Sequence, residues 1–203
     1  MSTAAGLERI ETPRMVGERM ETEHLASLSG LLQNRRVAEW LWPHGGPTDQ
    51  DLLDLTRQKT RHWDRYGFGL WLLHDKQTEA VVGWGGLQWT YVAELNEVEV
   101  AWAIAPERWR QGLATELAQA SIAAAFGALG MREIIAFTLP HNVASRRVME
   151  KTGFVYERDI VHALLPHVLY RCYSDHVGSF NPVQRGQEGA GLDARRDGRS
   201  RPR

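Results

Sequence analysis

Residues 109–119, WRQGLATELAQ, decide how the rest of the chain is interpreted. A strand-like run at 97–104 precedes them, Pro106 interrupts the chain, and an alanine-rich helical pattern follows. A helix start exposes unpaired backbone N–H groups at the positive end of the helix dipole, which together bind anions. Gly112 would let the main chain approach a ligand without a Cβ in the way. The stretch therefore predicts a diphosphate site at a helix start.

The side chains around Gly112 also suit a diphosphate, since Arg110 adds a positive charge and Thr115 adds a hydroxyl. No Gly-Lys-Ser/Thr follows, so this is not a Walker A loop. GWGG at 83–86 lacks the spacing and the following helix of a dinucleotide fingerprint. A glycine with only a packing role at a helix start remains the alternative.

The sequence that precedes this helix predicts one strand, then two helices, then three strands. Leucines at helical spacing follow Thr22, a candidate helix cap, and Thr48 with Asp51 resembles a capping box. The glycines and prolines of 42–47 predict a loop. The predicted strands are 14–20, 68–74, 80–89 and 98–104, and the predicted helices are 22–32 and 48–66.

After the quoted stretch we expect a helix at 111–126, a buried strand at 134–139, and a helix from Asn142 to Gly153. A hairpin of 155–164 and 168–174 would complete the sheet. This order predicts a mixed α/β sheet rather than regular βαβ alternation. We expect one domain over 1–177 and a disordered Gly/Arg-rich tail over 178–203.

Composition narrows the function classes. The net charge of −1 gives no electrostatic reason for nucleic acid or membrane binding. The single cysteine, Cys172, excludes an internal disulfide, and together with the lack of a signal peptide it favours a cytoplasmic location. The eight histidines show no metal-ligand spacing, so we predict no metal.

A second stretch, HNVASRRVMEKTGF at 141–154, follows the buried strand. Together the two stretches resemble the GNAT superfamily of acetyl-CoA-dependent N-acetyltransferases, and specifically its RimJ/RimL-like branch. The family motif Q/R-x-x-G-x-G/A is matched at Gly112 and Ala114. Trp109 stands where Gln or Arg is general, as in the RimJ/RimL form.

The resemblance implies a GNAT-like fold, with a central, mostly antiparallel sheet splayed between the fourth and fifth predicted strands. The pantetheine arm of acetyl-CoA would lie in that gap and pair with backbone groups, while the diphosphate would lie over the helix start. The expected contacts of the arm are Trp102, Ala103 and Ile104. Those of the diphosphate are Arg110, Gln111, Gly112, Leu113, Ala114 and Thr115. Asn142 and Ser145, at the start of the next helix, are also expected to contact the cofactor.

The resemblance also gives catalytic candidates. Glu99 matches the glutamate of the family's E-I-G-Y pattern and is the first choice for a general base, with Glu97 second; either could instead be a solvated carboxylate. Ser145 lies where related enzymes place a group near the CoA sulfur, or is an ordinary first-turn serine. Tyr156 and Tyr170 are alternative proton donors. An acyl-cysteine at Cys172 is disfavoured, because a lone cysteine in an apolar strand is usually core.

Aromatic residues are the candidates for the site of the amine that accepts the acetyl group. Six aromatic side chains could line its site or simply pack: Trp40, Trp42, His44, Trp63, Trp84 and Trp89. We expect direct acetyl transfer to a primary amine, either a small molecule or a peptide N-terminus, and a homodimer is compatible with the sequence. The alternatives are a non-catalytic acyl-CoA-binding or sensing domain, and a nucleotide-phosphate binder or interaction domain in which the glycine motif is only structural.

Overall fold

A computed structural model of the chain describes residues 6–42 and 45–177. Eight strands form one sheet in the order β1-β2-β3-β4-β5-β6-β8-β7. The strands are β1 (Arg9–Glu11), β2 (Met15–Arg19), β3 (Leu70–Asp75), β4 (Val81–Val92), β5 (Leu95–Ile104), β6 (Glu133–Thr138), β7 (Val155–His162) and β8 (Leu165–Tyr173). The α-helices are α1 (Leu25–Leu32), α2 (Arg35–Leu41), α3 (Asp49–Tyr66), α4 (Leu113–Ala123), α5 (Val143–Lys151) and α6 (Ser174–Val177).

The sheet is antiparallel except where β5 meets β6. These parallel strands share one register pair, Glu99 with Ile135. By contrast, β5 pairs with β4 along its whole length, from Leu95 to Ile104. The carboxyl-terminal half of β5 therefore separates from β6, as expected for the mixed, splayed sheet, and the predicted fold class is confirmed.

The alternation of side chains along β5 gives the sheet two buried faces. Val98, Val100 and Ile104 pack in one hydrophobic cluster with Leu113 and Leu117 of α4. Ala103 packs in another, which includes Leu28, Leu52 and Trp84 and is covered by α1, α2 and α3. Because successive strand residues point to opposite faces, Glu99 lies on the same face as Ala103.

Several elements differ from the sequence prediction. The predictions missed β1, α2 and α6, which span three, seven and four residues and are too short to give a periodic signal. Glu21, rather than Thr22, caps a 3₁₀ turn (Thr22–His24) that precedes α1. The helix predicted at 111–126 begins at Leu113 and changes to a π-helix at Ala124–Ala128. His44 and the tail at 178–203 lie outside the described residues.

The closed end of the β5–β6 gap is held by Arg171 of β8. Its guanidinium donates two hydrogen bonds to Glu97 on β5 and a third, of 2.6 Å, to Glu157 on β7. Glu133 on β6 lies 3.4 Å away. The Arg171 side chain is 9% exposed and that of Glu97 is 14% exposed. Arg171 therefore links four strands where β5 and β6 come together.

Replacing Arg171 with Met should lower the free energy of unfolding by about 2–3 kcal/mol, because Glu97 would be left largely buried without its charge partner. Urea unfolding measures this effect. Arg158→Met is a suitable control, since that guanidinium is half exposed and contacts Glu157 at 3.7 Å. Equal stability of the two variants would contradict the linking role of Arg171.

Candidate active site

The main-chain N–H and C=O groups of alternate β5 residues point into the gap between β5 and β6. The Ala105 N–H donates to the Val82 carbonyl on β4. In an antiparallel ladder the groups of alternate residues point to the same side, so those of Ala103 also face β4. The groups of Trp102 and Ile104 face the gap. A molecule lying in the gap would therefore meet Trp102 and Ile104 through their main chain.

Trp109 occupies the main-chain carbonyl of Ile104, which would otherwise be open to a molecule in the gap. Its indole N–H donates to the Ile104 carbonyl at 2.6 Å. The Arg36 guanidinium stacks over the Trp109 ring, 4.6 Å from its centroid. Trp109 thus fixes the end of β5. It also holds the guanidinium of Arg36, from α2, close to the segment that precedes α4.

The segment before α4 has an unusual backbone. Arg110 has a φ of 63° and Gly112, the residue that caps α4, has a φ of 83°. Left-handed residues among turn residues orient successive N–H groups toward a common point, a geometry that binds anions. Arg110, Gln111 and Gly112 are exposed, whereas the Leu113 side chain is in the core. Leu113 can therefore reach an anion only through its main chain.

Arg14, on the turn between β1 and β2, adjoins this segment. Its guanidinium donates to the Gln111 carbonyl at 2.7 Å and pairs with Glu116 of α4, also at 2.7 Å. An open pocket of about 570 Å³ lies here, lined by Arg14, Gly112, Thr115 and Lys151, among others. Sequence reasoning missed Arg14 because 97 residues separate it from Gln111.

Arg108 holds the same segment to the β3–β4 turn. Its guanidinium donates to Asp75 at 2.5 Å and to the Gln111 side chain at 3.0 Å. Asp75 also accepts the N–H groups of Gln77 and Thr78. The Arg108 hydrogen bond, helped by these two, lowers the pKa of Asp75 to about 2.

This contact predicts a pH dependence of stability. The pKa of Asp75 is depressed in the folded state, against about 3.9 in an unfolded chain. The stabilisation is therefore complete above pH of about 4 and is lost as the pH falls toward about 2. Urea unfolding should show the difference between the native chain and Asp75→Asn shrinking over that range. A difference that stays constant would contradict the assignment.

Glu99 is buried, with 8% of its surface exposed, at the residue where β5 and β6 separate. Its Oε2 accepts the side-chain N–H of Gln88 at 2.8 Å, and Gln88 Oε1 accepts from Lys59 Nζ of α3 at 2.7 Å. Burial raises the pKa of Glu99, partly offset by Gln88 and by the charge of Lys59. A carboxylate with a raised pKa is a stronger proton acceptor than an exposed one.

The other titratable candidates are held in different surroundings. Glu97 is paired with Arg171, as described above. The Tyr170 hydroxyl is buried and lies between Arg146 and Glu150, at 3.1 Å from each. The exposed Tyr156 on edge strand β7 donates to Asp159, which raises its pKa. Burial raises the pKa of Cys172 to about 11, so this thiol stays protonated near neutral pH.

Asn142 caps α5 beside the gap. Its side-chain oxygen accepts the N–H of Ser145 at 3.2 Å, and its amide donates to Thr138 at the end of β6. Ser145 is half-buried in the first turn. The neighbouring His141 ring lies 5.4 Å from Trp40 of α2, so α2 contacts the β6–α5 connection. The structure thus brings Asn142 and Ser145 to the carboxyl end of β6.

Comparison with known proteins decides the family. The sequence profile of the acetyltransferase (GNAT) domain matches residues 14–155, more than half of the chain. The chain belongs to the GNAT acetyltransferase family. An uncharacterized N-acetyltransferase, YoaA of Bacillus subtilis (strain 168), is 31% identical over 148 residues, 73% of this chain and 83% of that protein.

Solved structures show the same GNAT fold. A putative GNAT-family acetyltransferase from Bordetella pertussis aligns with a TM-score of 0.73 at 24% identity, over 81% of this chain and 98% of that one. The RimL ribosomal L7/L12 α-N-protein acetyltransferase in complex with coenzyme A aligns with a TM-score of 0.66 at 16% identity, over 83% and 99% of the two chains. The family match and the 31% identical relative, rather than these structures, make the chain a GNAT N-acetyltransferase, an acetyl-CoA-dependent class of enzyme.

The tryptophans predicted to line the acceptor site of this GNAT enzyme separate into different environments. Trp84 is 7% exposed on the Glu99 face of the sheet, and its indole N–H has no partner within the described part of the chain. Trp42 is half-buried and lines an open pocket of about 430 Å³ with Asp51, Asp54 and Leu55 of α3. Trp84 and Trp42 pack in or against the same hydrophobic cluster.

The remaining tryptophans are placed differently. Trp63 is fully buried and donates to the Leu70 carbonyl, so it packs in the core. Trp89 is 43% exposed and lies 6.2 Å from Tyr66. Trp89 follows Gln88 and therefore points to the opposite face of β4 from Gln88 and Glu99. Trp40 contacts His141, as described above.

Among residues 6–42 and 45–177, no group of three or more His, Cys, Asp or Glu side chains is arranged to hold a metal ion. None of the helices within 6–42 and 45–177 has both the length and the apolar character needed to span a membrane.

Proposed function

We propose that this GNAT enzyme transfers the acetyl group of acetyl-CoA directly to a primary amine within a ternary complex, with Glu99 as the general base. The observation that carries the proposal is the position of Glu99. Its buried carboxylate lies at the one register pair that joins β5 to β6, at the inner end of the gap. A carboxylate there borders the space where an amine could meet a thioester.

Acetyl-CoA would be held by main chain more than by side chains. The diphosphate would accept N–H groups from the turn that includes Arg110 and Gly112 and from the first residues of α4. The pantetheine arm would pair with the gap-facing groups of Trp102 and with the N–H of Ile104, whose carbonyl already accepts the Trp109 indole, as an added strand does. Asn142 and Ser145 would lie near the thioester. The same turn and helix start include Gln111, Leu113, Ala114 and Thr115, which would take part in binding the diphosphate.

Chemistry requires the amine to be neutral when it attacks the thioester carbon. A lysine-type amine with a pKa of about 10.4 is almost entirely protonated at pH 7, whereas an α-amino group has a pKa of about 7.7–8.0. Glu99 would take the proton of the amine, directly or through a water molecule, as the new C–N bond forms. The carbon–sulfur bond then breaks and CoA leaves as a thiolate. A thiol pKa of about 8.5 makes that departure easy without a strong acid.

The acceptor is proposed as a class, either a small-molecule amine or a peptide N-terminus. Trp84 and Trp42 lie on the Glu99 face, and the half-buried Trp42 offers aromatic surface to a flat, apolar or cationic group, whereas Trp84 is packed beneath it in the core. The pocket beside Trp42 is lined by the carboxylates of Asp51 and Asp54 and by the guanidinium of Arg61, and its remaining negative charge favours a cation. Both classes of acceptor bring a positive charge near neutral pH.

A thiol-release assay tests the proposal. Acetyl-CoA would be incubated with the enzyme and a panel consisting of spermidine, L-lysine, an aminoglycoside and peptides that begin with alanine or serine. We expect at least one amine to release CoA thiol and to gain 42 Da by mass spectrometry. Tight binding of acetyl-CoA without acetylation of any amine would instead favour a non-catalytic acyl-CoA sensor.

A further inference from the structure

Three side chains from three elements form a polar chain that ends on Glu99. Lys59 Nζ of α3 donates to Gln88 Oε1 of β4 at 2.7 Å, and Gln88 Nε2 donates to Glu99 Oε2 of β5 at 2.8 Å. Gln88 and Glu99 are register partners across β4 and β5. Lys59 is half-buried and Glu99 is buried, so water competes little for these contacts.

Lys59 fixes the direction of this chain. A glutamine side chain can present either its oxygen or its NH₂ group to a neighbour, but a lysine ammonium is only a donor. The ammonium therefore requires the oxygen of Gln88, and the NH₂ group must turn to Glu99. The Glu99 oxygen that meets it, Oε2, must then act as an acceptor. The proton-accepting position of the carboxylate is left to the other oxygen, Oε1.

We propose that Lys59 is a positioning residue for acetyl transfer: acting through Gln88, it holds one oxygen of Glu99 and leaves the other to receive the proton of the amine. This inference rests on the proposed role of Glu99 as the base. Lys59 touches neither substrate nor cofactor in this account. It orients the base and, by its charge, favours the ionised carboxylate.

Few other charges act on Glu99. Glu97, two residues away on β5, is neutralised by Arg171. His62 lies one turn after Lys59 on α3, with one ring nitrogen on the Phe68 carbonyl and the other accepting the Trp89 N–H. This arrangement requires neutral His62, and burial lowers its pKa. Glu133 on the adjoining strand β6 also lies beside Arg171. Among the ionisable groups of α3, β4, β6 and β8, Lys59 is thus the one whose positive charge acts on Glu99.

The test follows the titration of Glu99 by ¹³C NMR of protein labelled at glutamate carboxyl carbons, with the Glu99 signal assigned by its loss in Glu99→Gln. We expect Lys59→Met and Gln88→Leu each to raise the pKa of Glu99, because each removes an interaction that favours the carboxylate. Lys59→Arg should restore the native titration, since arginine is also only a donor. Lys76→Met, the same change at a lysine that pairs with Glu11, should leave it unchanged.

Turnover with the best amine of the panel gives a second measurement. We expect kcat to fall roughly 10-fold or more in Lys59→Met and Gln88→Leu, with the acidic limb of the pH profile moved to higher pH and the KM for acetyl-CoA unchanged. A native Glu99 titration in both variants would overturn the positioning role. Full activity of Glu99→Gln, together with a shifted titration in Lys59→Met, would overturn the base assignment and leave the coupling of Lys59 to Glu99 in place.

Discussion

Glu99→Gln should lower kcat for acetyl transfer by about 10²–10⁴-fold, the usual contribution of a general base. Glutamine keeps the size of the side chain but cannot take a proton from the amine. Binding of CoA, measured by calorimetry, should stay within about twofold of the native value, because the proposed diphosphate site is at the start of α4. The loss should be greater for lysine-type amines than for α-amino groups, since the former are more completely protonated at neutral pH.

Glu39→Gln is the matched control for this variant. Glu39 is exposed on α2, so the same chemical change there should leave kcat unaltered. Thermal unfolding of both variants would verify that the sheet is intact. An unaltered kcat in Glu99→Gln would reject Glu99 as the base and shift attention to a water relay from another group.

Gly112→Val should weaken CoA binding by at least about 100-fold, equivalent to about 2.7 kcal/mol. Gly112 has a φ of 83°, and a Cβ built there meets nothing nearer than the Arg14 guanidinium at 3.5 Å. The native chain therefore leaves this position open, and the valine side chain would occupy the approach of the diphosphate. Left-handed backbone should also cost the valine variant about 1–2 kcal/mol of stability.

Gly130→Val separates backbone strain from loss of the site. Gly130 has a φ of 62° and also has open space around its Cβ position, but it lies after the π-helix that follows α4. It should lose similar stability and bind CoA normally. A native dissociation constant for Gly112→Val, measured by calorimetry, would refute the diphosphate site at the start of α4.

The sequence was informative wherever a short stretch carries its own signal. Gly112 at a helix start, Asn142 before α5 and the apolar run of β6 each depend on neighbours within a few residues. The order of strands and helices from residue 68 onward followed from such local patterns. The splayed gap was implied by resemblance to the GNAT family rather than by any periodicity.

Contacts between distant residues could not be predicted in this way. Arg14 meets Glu116 across 102 positions and Arg171 meets Glu97 across 74, and nothing in their local sequence marks them as partners. Lys59 on the polar side of an amphipathic helix is indistinguishable by pattern from a solvated lysine. Only the packing of α3 against β4 brings it to Gln88. Short elements such as β1 and α2 depend in the same way on neighbours far along the chain.

A structure of the chain crystallised with coenzyme A would test the central claim most directly. We expect the diphosphate on the main-chain N–H groups around Gly112 and the pantetheine arm between β5 and β6, with its sulfur toward Glu99. Coenzyme A bound elsewhere, or a gap between β5 and β6 filled by side chains, would contradict the account.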